Sequence, residues 1–173
     1  MADGGDLMRF RKDIVPGPDT TRDFRTALGH FSTGVTVVTA MTETGPIGMT
    51  ANSFSSVSLD PPLVMWCPAK SSARYPFFEA ASHFAIHVLG ADQQALARQF
   101  AKAGNDFSGL DVAYNSSGVP LIDTCLARFE CAKMQSIDAG DHAIQIGLVQ
   151  KATLEDGDAL VFYRGEFGVF ANS

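Results

Sequence analysis

Three short segments of the sequence combine residue types that can bind a ligand. The first, Gly48–Ser58, holds five hydroxyls and one amide but no charged side chain. Small hydroxyl residues leave room for a flat ring beside the chain, and their donors and acceptors can bond the edge of a polar heterocycle. This composition favours a site for a planar, uncharged ring, although a Ser- and Thr-rich strand without a ligand has the same composition.

In the second segment, Lys70–Arg74, one basic residue precedes Ser71 and Ser72 and another follows them. Cations and free backbone N–H groups at the start of a helix favour a phosphate group. The segment therefore predicts a phosphate contact, with a solvated helix cap as the alternative.

The third segment is the turn Gly140–His142, in which Asp141 directly precedes His142. A neighbouring carboxylate can orient an imidazole so that it donates a hydrogen bond to an incoming ligand. The alternative is an exposed turn histidine with no ligand.

The sequence lacks the common catalytic motifs, namely the dinucleotide-binding glycine motif, the phosphate-binding loop, HExxH and GxSxG. His83 and His87 have the spacing of a metal pair, but the residues between them are typical of a strand, so we predict no metal site. The sequence has three cysteines, an odd number, and no two of them form a CxxC motif. This pattern predicts free thiols in a reducing cytoplasm rather than disulfides or a zinc site.

Composition limits the class of protein. The chain has 173 residues, 46% of them hydrophobic, and a net charge of −6, which predicts one globular domain with a substantial core. The acidic balance argues against a general nucleic-acid binder. No apolar run reaches the roughly 20 residues of a membrane span, and the N-terminus does not resemble a signal peptide, so we expect a cytoplasmic protein.

The elements that must position the three segments are mostly strands. Residues 1–19 read as a flexible lead-in and 20–173 as one domain. Thr20 and Asp23 have the spacing of a capping box, and an apolar stripe predicts a helix over about 21–31. Further helices are predicted at 71–81 and after Asp92, and a long loop at 103–123. Strands are predicted at 34–39, 47–58, 63–67, 84–89, 127–131, 144–148 and 160–163, which favours an antiparallel barrel of about six or seven strands with peripheral α-helices.

Taken in order, these segments resemble the short-chain flavin reductases, the reductase components of two-component flavin-dependent monooxygenases. The resemblance runs from about residue 22 to 168. The stretches that carry it are 24–39, 48–64, 84–89, 96–101, 130–131, 140–149 and 160–165.

The resemblance implies a mainly β fold, the Greek-key split β-barrel of the FMN-binding type. It also implies a homodimer that binds FMN or FAD near the subunit interface. NADH or NADPH would donate a hydride to the flavin, and the loosely held reduced flavin would leave for a separate oxygenase component.

The resemblance also implies roles for individual residues. The isoalloxazine ring would be lined by Thr50, Ala51, Asn52 and Ser53, and its edge contacted by Ser56, Val57 and Ser58. Ser71 and Ser72 would lie near the phosphate, and on physical grounds we add the charges of Lys70 and Arg74. His142 would orient the nicotinamide, Phe100 would lie near the dinucleotide or the flavin edge, and Phe167 would cover the site.

The residues leave other readings open. An enzyme of the same fold could retain its flavin, and a flavin-binding protein without NAD(P)H turnover could serve storage or sensing. A barrel with no ligand is a further alternative. Neither FMN over FAD nor NADH over NADPH is decided by the sequence, and His87 stands where many relatives have asparagine.

Overall fold

The computed structural model describes residues 11–170. Within this range the α-helices are α1 (Thr21–Leu28), α2 (Tyr75–Ala80) and α3 (Gln94–Lys102), and short 3-10 helices precede α1 and α3 at Pro18–Thr20 and Ala91–Gln93. The strands are β1 (Thr33–Gly34), β2 (Thr36–Thr42), β3 (Gly45–Ala51), β4 (Ser55–Leu59), β5 (Pro62–Trp66), β6 (His83–Val88), β7 (Val112–Tyr114), β8 (Pro120–Ile122), β9 (Ala127–Ala139), β10 (His142–Leu154), β11 (Ala159–Tyr163) and β12 (Glu166–Phe170).

Seven strands form one antiparallel sheet in the order β3-β2-β6-β9-β10-β5-β4. Its two edge strands, β3 and β4, are consecutive in the chain and are joined only by residues 52–54. A link this short spans at most about 15 Å, whereas the edges of a flat seven-stranded sheet would lie roughly 29 Å apart. The sheet must therefore roll up until its edges approach. Because β3 and β4 do not pair with each other, the result is a barrel split along one seam, which confirms the predicted fold.

Strand β2 separates two buried clusters, because successive strand residues face opposite sides of a sheet. Val38 packs inside the barrel with Trp66, Phe78 and Phe84. On the other side, Val37 packs beneath α3 and the smaller sheet, in a cluster that includes Phe100. Both sides of β2 are thus removed from water, which explains why this strand is apolar and β-branched without alternation.

The smaller sheet has the order β1-β11-β12 and covers the same side of β2 as α3 does. It is attached to the barrel where the N–H of Leu160 donates to the carbonyl of Leu89 at 3.1 Å. Helix α3 and this sheet therefore border the same space, and a cavity lies between them and β3.

His87 fastens strand β8 to the barrel from a fully buried position. Its Nδ1 lies 3.0 Å from the carbonyl oxygen of Val37, and its Nε2 lies 3.1 Å from the backbone nitrogen of Ile122. A carbonyl only accepts and an amide N–H only donates, so Nδ1 carries the proton and Nε2 is the acceptor. Burial lowers the pKa of His87 to about 4, which keeps the ring neutral.

Several predicted boundaries differ from the structure. Helix α1 ends at Leu28, before residue 31, and its predicted capping box is absent. The hydroxyl of Thr20 donates instead to the carbonyls of Val15 and Gly17, and Asp23 pairs with Lys12 at 2.6 Å. The first ten residues of the predicted lead-in lie outside the described part of the chain.

Two longer segments were predicted too simply. The predicted strand 47–58 is two strands, because the chain crosses from one edge of the sheet to the other at 52–54. The predicted loop 103–123 contains the hairpin of β7 and β8. Strand β3 pairs with β2 at one edge and β4 pairs with β5 at the other, whereas β7 and β8 form a separate two-stranded sheet.

Candidate functional site

A cavity of about 190 Å³ opens where β3 meets α3 and the smaller sheet. Among residues 11–170, no charged side chain lines it. The lining residues are Val35, Thr50, Ala51, Asn52, Ala101, Phe162 and Phe167. Four of these, Thr50, Ala51, Asn52 and Phe167, were predicted as site residues, and the structure brings them together across more than 100 positions of sequence.

The polar side chains of β3 and its link are mostly engaged within the protein. The hydroxyl of Thr50 donates to the carbonyl of Ala97 at 2.6 Å. The hydroxyl of Ser53 donates to the carbonyl of Cys67 and accepts from its N–H, at 3.2 and 2.9 Å. These bonds fix the backbone of 50–53 in place. The groups left for a ligand are therefore backbone atoms and the exposed amide of Asn52.

Phe167 forms the opposite wall of the cavity. Its ring packs edge-on against Phe162, with centroids 5.4 Å apart, and the guanidinium carbon of Arg98 lies 5.2 Å from its centroid. An aromatic wall facing a neutral, uncharged strand suits a flat heterocycle.

Phe100 lies behind the cavity wall. Its ring is fully buried and packs on Phe107 with centroids 4.9 Å apart. A Cβ built on Gly48 would lie 2.5 Å from the Phe100 ring. In this conformation the ring has no surface to offer a ligand, so the predicted contact with flavin or dinucleotide would need the ring to move.

The second and third sequence segments lie side by side. The ammonium of Lys70 contacts the carboxylate of Asp138 and the carbonyl of Gly140, both at 2.7 Å. The backbone N–H of Lys70 donates to the carbonyl of Asp141 at 2.9 Å. Ala69 and His142 pair through an isolated antiparallel β-bridge. Through these contacts the basic segment supports the turn that carries the imidazole.

His142 is partly exposed at the start of β10, and its Nδ1 lies 2.8 Å from the Asp141 carboxylate. The hydrogen bond with His142, together with its charge, lowers the pKa of Asp141. In the same way, the hydrogen bond with Lys70 and its charge lower the pKa of Asp138. The carboxylate thus holds Nδ1 and does not engage the other ring nitrogen, Nε2.

The predicted phosphate segment is a turn ahead of a short helix. Helix α2 begins at Tyr75, and Arg74 is its N-terminal flanking residue. Ser71 is exposed, whereas the hydroxyl of Ser72 accepts from the N–H of Arg74 at 3.3 Å. The guanidinium of Arg74 points away from this turn, towards carbonyls of β3 and α3.

Ser56, Val57 and Ser58 lie on β4, the other edge strand, and do not line the cavity. A bulge between Ser56 and Ser58 interrupts their pairing with β5 and leaves Val57 exposed. They border the seam of the split barrel, on the far side of the link 52–54.

Val35, Ala101 and Phe162 line the cavity but were missing from the sequence-based set. Of these three, only Phe162 could have been found from the sequence, because it is an aromatic residue in a predicted strand.

Among residues 11–170, no group of three or more His, Cys, Asp and Glu side chains is placed to hold a metal ion. Within the same residues, no helix is both long and apolar enough to cross a membrane.

Comparison with known proteins decides the family. Residues 28–171 match the flavin reductase like domain. The chain belongs to this family. It is 59% identical over 158 residues to FMN reductase (NADH) SmoA of Agrobacterium fabrum, covering 91% of each protein.

Two further flavin reductases extend the comparison. The chain is 46% identical over 154 residues to the reductase component of the flavin-dependent trigonelline monooxygenase of Acinetobacter baylyi, covering 88% of this chain but only 50% of that protein. The structure of the NADH:FAD oxidoreductase SgcE6 of Streptomyces globisporus, in complex with NAD and FAD fragments, superposes with a TM-score of 0.84 and 40% identity. That match covers 92% of this chain and 98% of SgcE6.

Proposed function

We propose that this protein is an NADH-dependent flavin reductase that reduces FMN or FAD and releases the reduced flavin to a partner monooxygenase. The observation that carries the proposal is the uncharged cavity between β3 and Phe167, in a chain of the flavin reductase like family. NADH is favoured over NADPH because SmoA, its relative at 59% identity, is an NADH-dependent FMN reductase.

The cavity fits the ring of a flavin. Apolar and aromatic side chains line it, with one hydroxyl and one amide among them, as expected for a neutral, planar ring with polar edges. When bound, the flavin supplies the acceptor for a hydride from the nicotinamide, which is chemistry that the protein itself does not provide. The backbone of Thr50, Ala51, Asn52 and Ser53 would hold the ring, and Phe167 would cover it.

The remaining predicted contacts would lie at the rim of this site. Ser56, Val57 and Ser58 would meet the ring edge across the seam, and Lys70, Ser71 and Ser72 would meet the flavin phosphate. The ammonium of Lys70 is already paired with Asp138, so its contribution to a phosphate would be shared with that carboxylate. His142, whose Nδ1 is held by the Asp141 carboxylate, would meet the nicotinamide side through Nε2, where it can accept a hydrogen bond. Its role is to place the dinucleotide, since positioning is the main contribution such a protein makes to the reaction.

A second copy of the chain would cover the apolar surfaces that a single copy exposes. No residue of α1 is buried, and both its last residue, Leu28, and the nearby Phe31 are exposed. A groove of about 540 Å³ on the smaller sheet is lined by residues that include Tyr163 and Val169. Apolar surface of this extent is typical of an interface, and we propose a homodimer formed through it.

We place the protein in the cytoplasm, where NADH is supplied and thiols stay reduced. Cys67, Cys125 and Cys131 are free thiols in the structure, which is compatible with that compartment.

Steady-state turnover tests the proposed function. Oxidation of NADH and of NADPH is followed with no added flavin and then with FMN, FAD or riboflavin. We expect NADH oxidation that rises with added flavin. Turnover independent of added flavin would instead indicate a retained flavin, and binding of flavin without any turnover would indicate a binding protein; either result contradicts the proposal.

A further inference from the structure

Arg74 joins the two elements that meet at the cavity. Its Nη1 donates to the carbonyls of Gly48, at 3.2 Å, and of Phe100, and its Nη2 donates to the carbonyl of Ala101 at 3.0 Å. Gly48 belongs to β3, which continues into the cavity wall at Thr50. Ala101 lies in the last turn of α3 and lines the cavity itself.

The end of α3 explains why a guanidinium is held there without a carboxylate. The last carbonyls of a helix have no partner within the helix and form the negative end of its dipole. A cation that hydrogen-bonds to them is favourably placed. Burial of the guanidinium lowers the pKa of Arg74, because it disfavours the charged form. Hydrogen bonds from three of its five N–H donors to backbone carbonyls offset this cost.

The junction around Arg74 is closely packed. The N–H of Gly48 donates to the carbonyl of Gly104 at 2.7 Å. A Cβ on Gly104 would lie 2.8 Å from the carbonyl oxygen of Gly48 and would overlap the aliphatic stem of Arg74. With the bond from the Thr50 hydroxyl to Ala97, these contacts fasten β3 to α3 just before the chain reaches the cavity.

We propose that Arg74 is a positioning residue for the flavin ring, and that it acts by holding β3 against α3 rather than by binding the flavin phosphate. The inference rests on the proposed function, because the ring would lie along residues 50–52. It replaces the phosphate contact that the sequence predicts for Arg74. Loss of the guanidinium would loosen the strand that the ring lies on, whatever the flavin carries at its ribityl end.

The comparison of FMN with riboflavin, which lacks the phosphate, separates the two roles. In Arg74→Met the aliphatic stem that packs on Gly104 is kept and the guanidinium is removed. We expect KM for FMN and KM for riboflavin to rise by the same factor, about tenfold, a typical size for the coupling between a supporting contact and a binding site. At saturating flavin, kcat should stay within about twofold of the unsubstituted protein.

Two further variants support the interpretation. Arg74→Lys keeps the charge but offers one ammonium in place of the planar fork, so KM for both flavins should rise by a smaller common factor. Lys102→Gln removes a positive charge from an exposed position at the end of the same helix and should leave both KM values unchanged. If Arg74→Met does not fold, Arg74→Lys alone decides the question.

Hydrogen exchange of the flavin-free protein gives an independent readout. Amides of residues 47–52 should exchange faster in Arg74→Lys than in Lys102→Gln or the unsubstituted protein. A rise in KM for FMN alone, an unchanged KM for both flavins, a loss confined to kcat, or unchanged exchange would each overturn the inference. Absence of flavin-dependent NADH oxidation in the unsubstituted protein would contradict the proposed function itself, and the inference with it.

Discussion

His87 makes the stability of the fold depend on pH in the mildly acidic range. Its pKa is about 4 in the folded chain, chiefly because the ring is buried, against about 6.5 for an unfolded histidine. The Val37 carbonyl and Asp123 raise this pKa, and the cation of Arg128 lowers it further. Between the two values the unfolded chain binds more protons than the folded chain, so stability is complete above pH 6.5 and is lost as the pH falls towards 4.

The size of the effect follows from the two pKa values. A difference of one pKa unit corresponds to about 1.36 kcal/mol, so the gap between 6.5 and about 4 amounts to about 3 kcal/mol of unfolding free energy. Roughly 2 kcal/mol of this is lost by pH 5. That is a large share of the stability of a typical domain, which is about 5–15 kcal/mol.

Urea unfolding of the flavin-free protein at pH 7.5 and pH 5 measures this loss. The single tryptophan, Trp66, is fully buried and reports unfolding by its fluorescence. Protein concentration is held fixed, because a dimer would make the midpoint depend on it. His87→Asn cannot titrate in this range; its amide can replace the donor to Val37 but leaves the Ile122 N–H without an acceptor, which costs about 1–3 kcal/mol at both pH values.

We expect the unsubstituted protein to lose about 2 kcal/mol more than His87→Asn between pH 7.5 and pH 5. Equal losses in the two proteins would refute the assignment of this acid sensitivity to His87.

Three further substitutions test other parts of the structure. Gly48→Ala should lower the unfolding free energy by about 1–3 kcal/mol, measured in urea, because the new methyl group would lie 2.5 Å from the buried Phe100 ring. His142→Ala should lower NADH oxidation at saturating flavin about tenfold while the flavin dissociation constant, measured by fluorescence quenching, changes little. Val169→Asp places a charge in the groove on the smaller sheet and should weaken the dimer at least about tenfold in sedimentation velocity.

Matched controls accompany these variants. Gly17→Ala introduces a methyl whose nearest neighbour is the Thr20 hydroxyl at 4.0 Å, so it should not change stability; equal destabilisation by both glycine variants would contradict the packing argument. His83→Ala should leave turnover unchanged, and equal losses of turnover and flavin affinity in His142→Ala would count against a nicotinamide role. Leu154→Asp introduces the same charge at an exposed leucine outside the groove, so it should leave the dimer unchanged. If the unsubstituted protein sediments as a monomer, the proposed interface is wrong.

Local patterns in the sequence were sufficient for most strands. Alternation over 127–131 correctly predicted the start of β9. The β-branched run at 34–39 predicted a strand that overlaps β2, although β2 itself runs over Thr36–Thr42. The crossing at 52–54 was missed because a strand that changes from one sheet edge to the other keeps the same composition. The hydroxyl-rich segment was nevertheless recognised as a possible ligand site, and it does border the cavity.

The contacts of the site were harder to predict because they join distant positions. The guanidinium of Arg74 bonds carbonyls 26 and 27 residues away, and no spacing rule connects a basic residue near one helix to the end of another. The family resemblance implied that Phe100 lies near the dinucleotide or the flavin edge, yet α3 places its ring in the core behind Gly48. Propensity predicts elements, whereas the partner of each side chain depends on how those elements pack.

The stoichiometry of anaerobic flavin reduction tests the central claim most directly. NADH is added to the protein with FMN in tenfold or greater excess, the loss of visible flavin absorbance is followed, and the solution is then passed through an ultrafilter that retains the protein. We predict that many equivalents of FMN are reduced per chain and that the reduced flavin passes the filter. Reduction that stops at one equivalent per chain, with the reduced flavin retained, would contradict a reductase that releases its product.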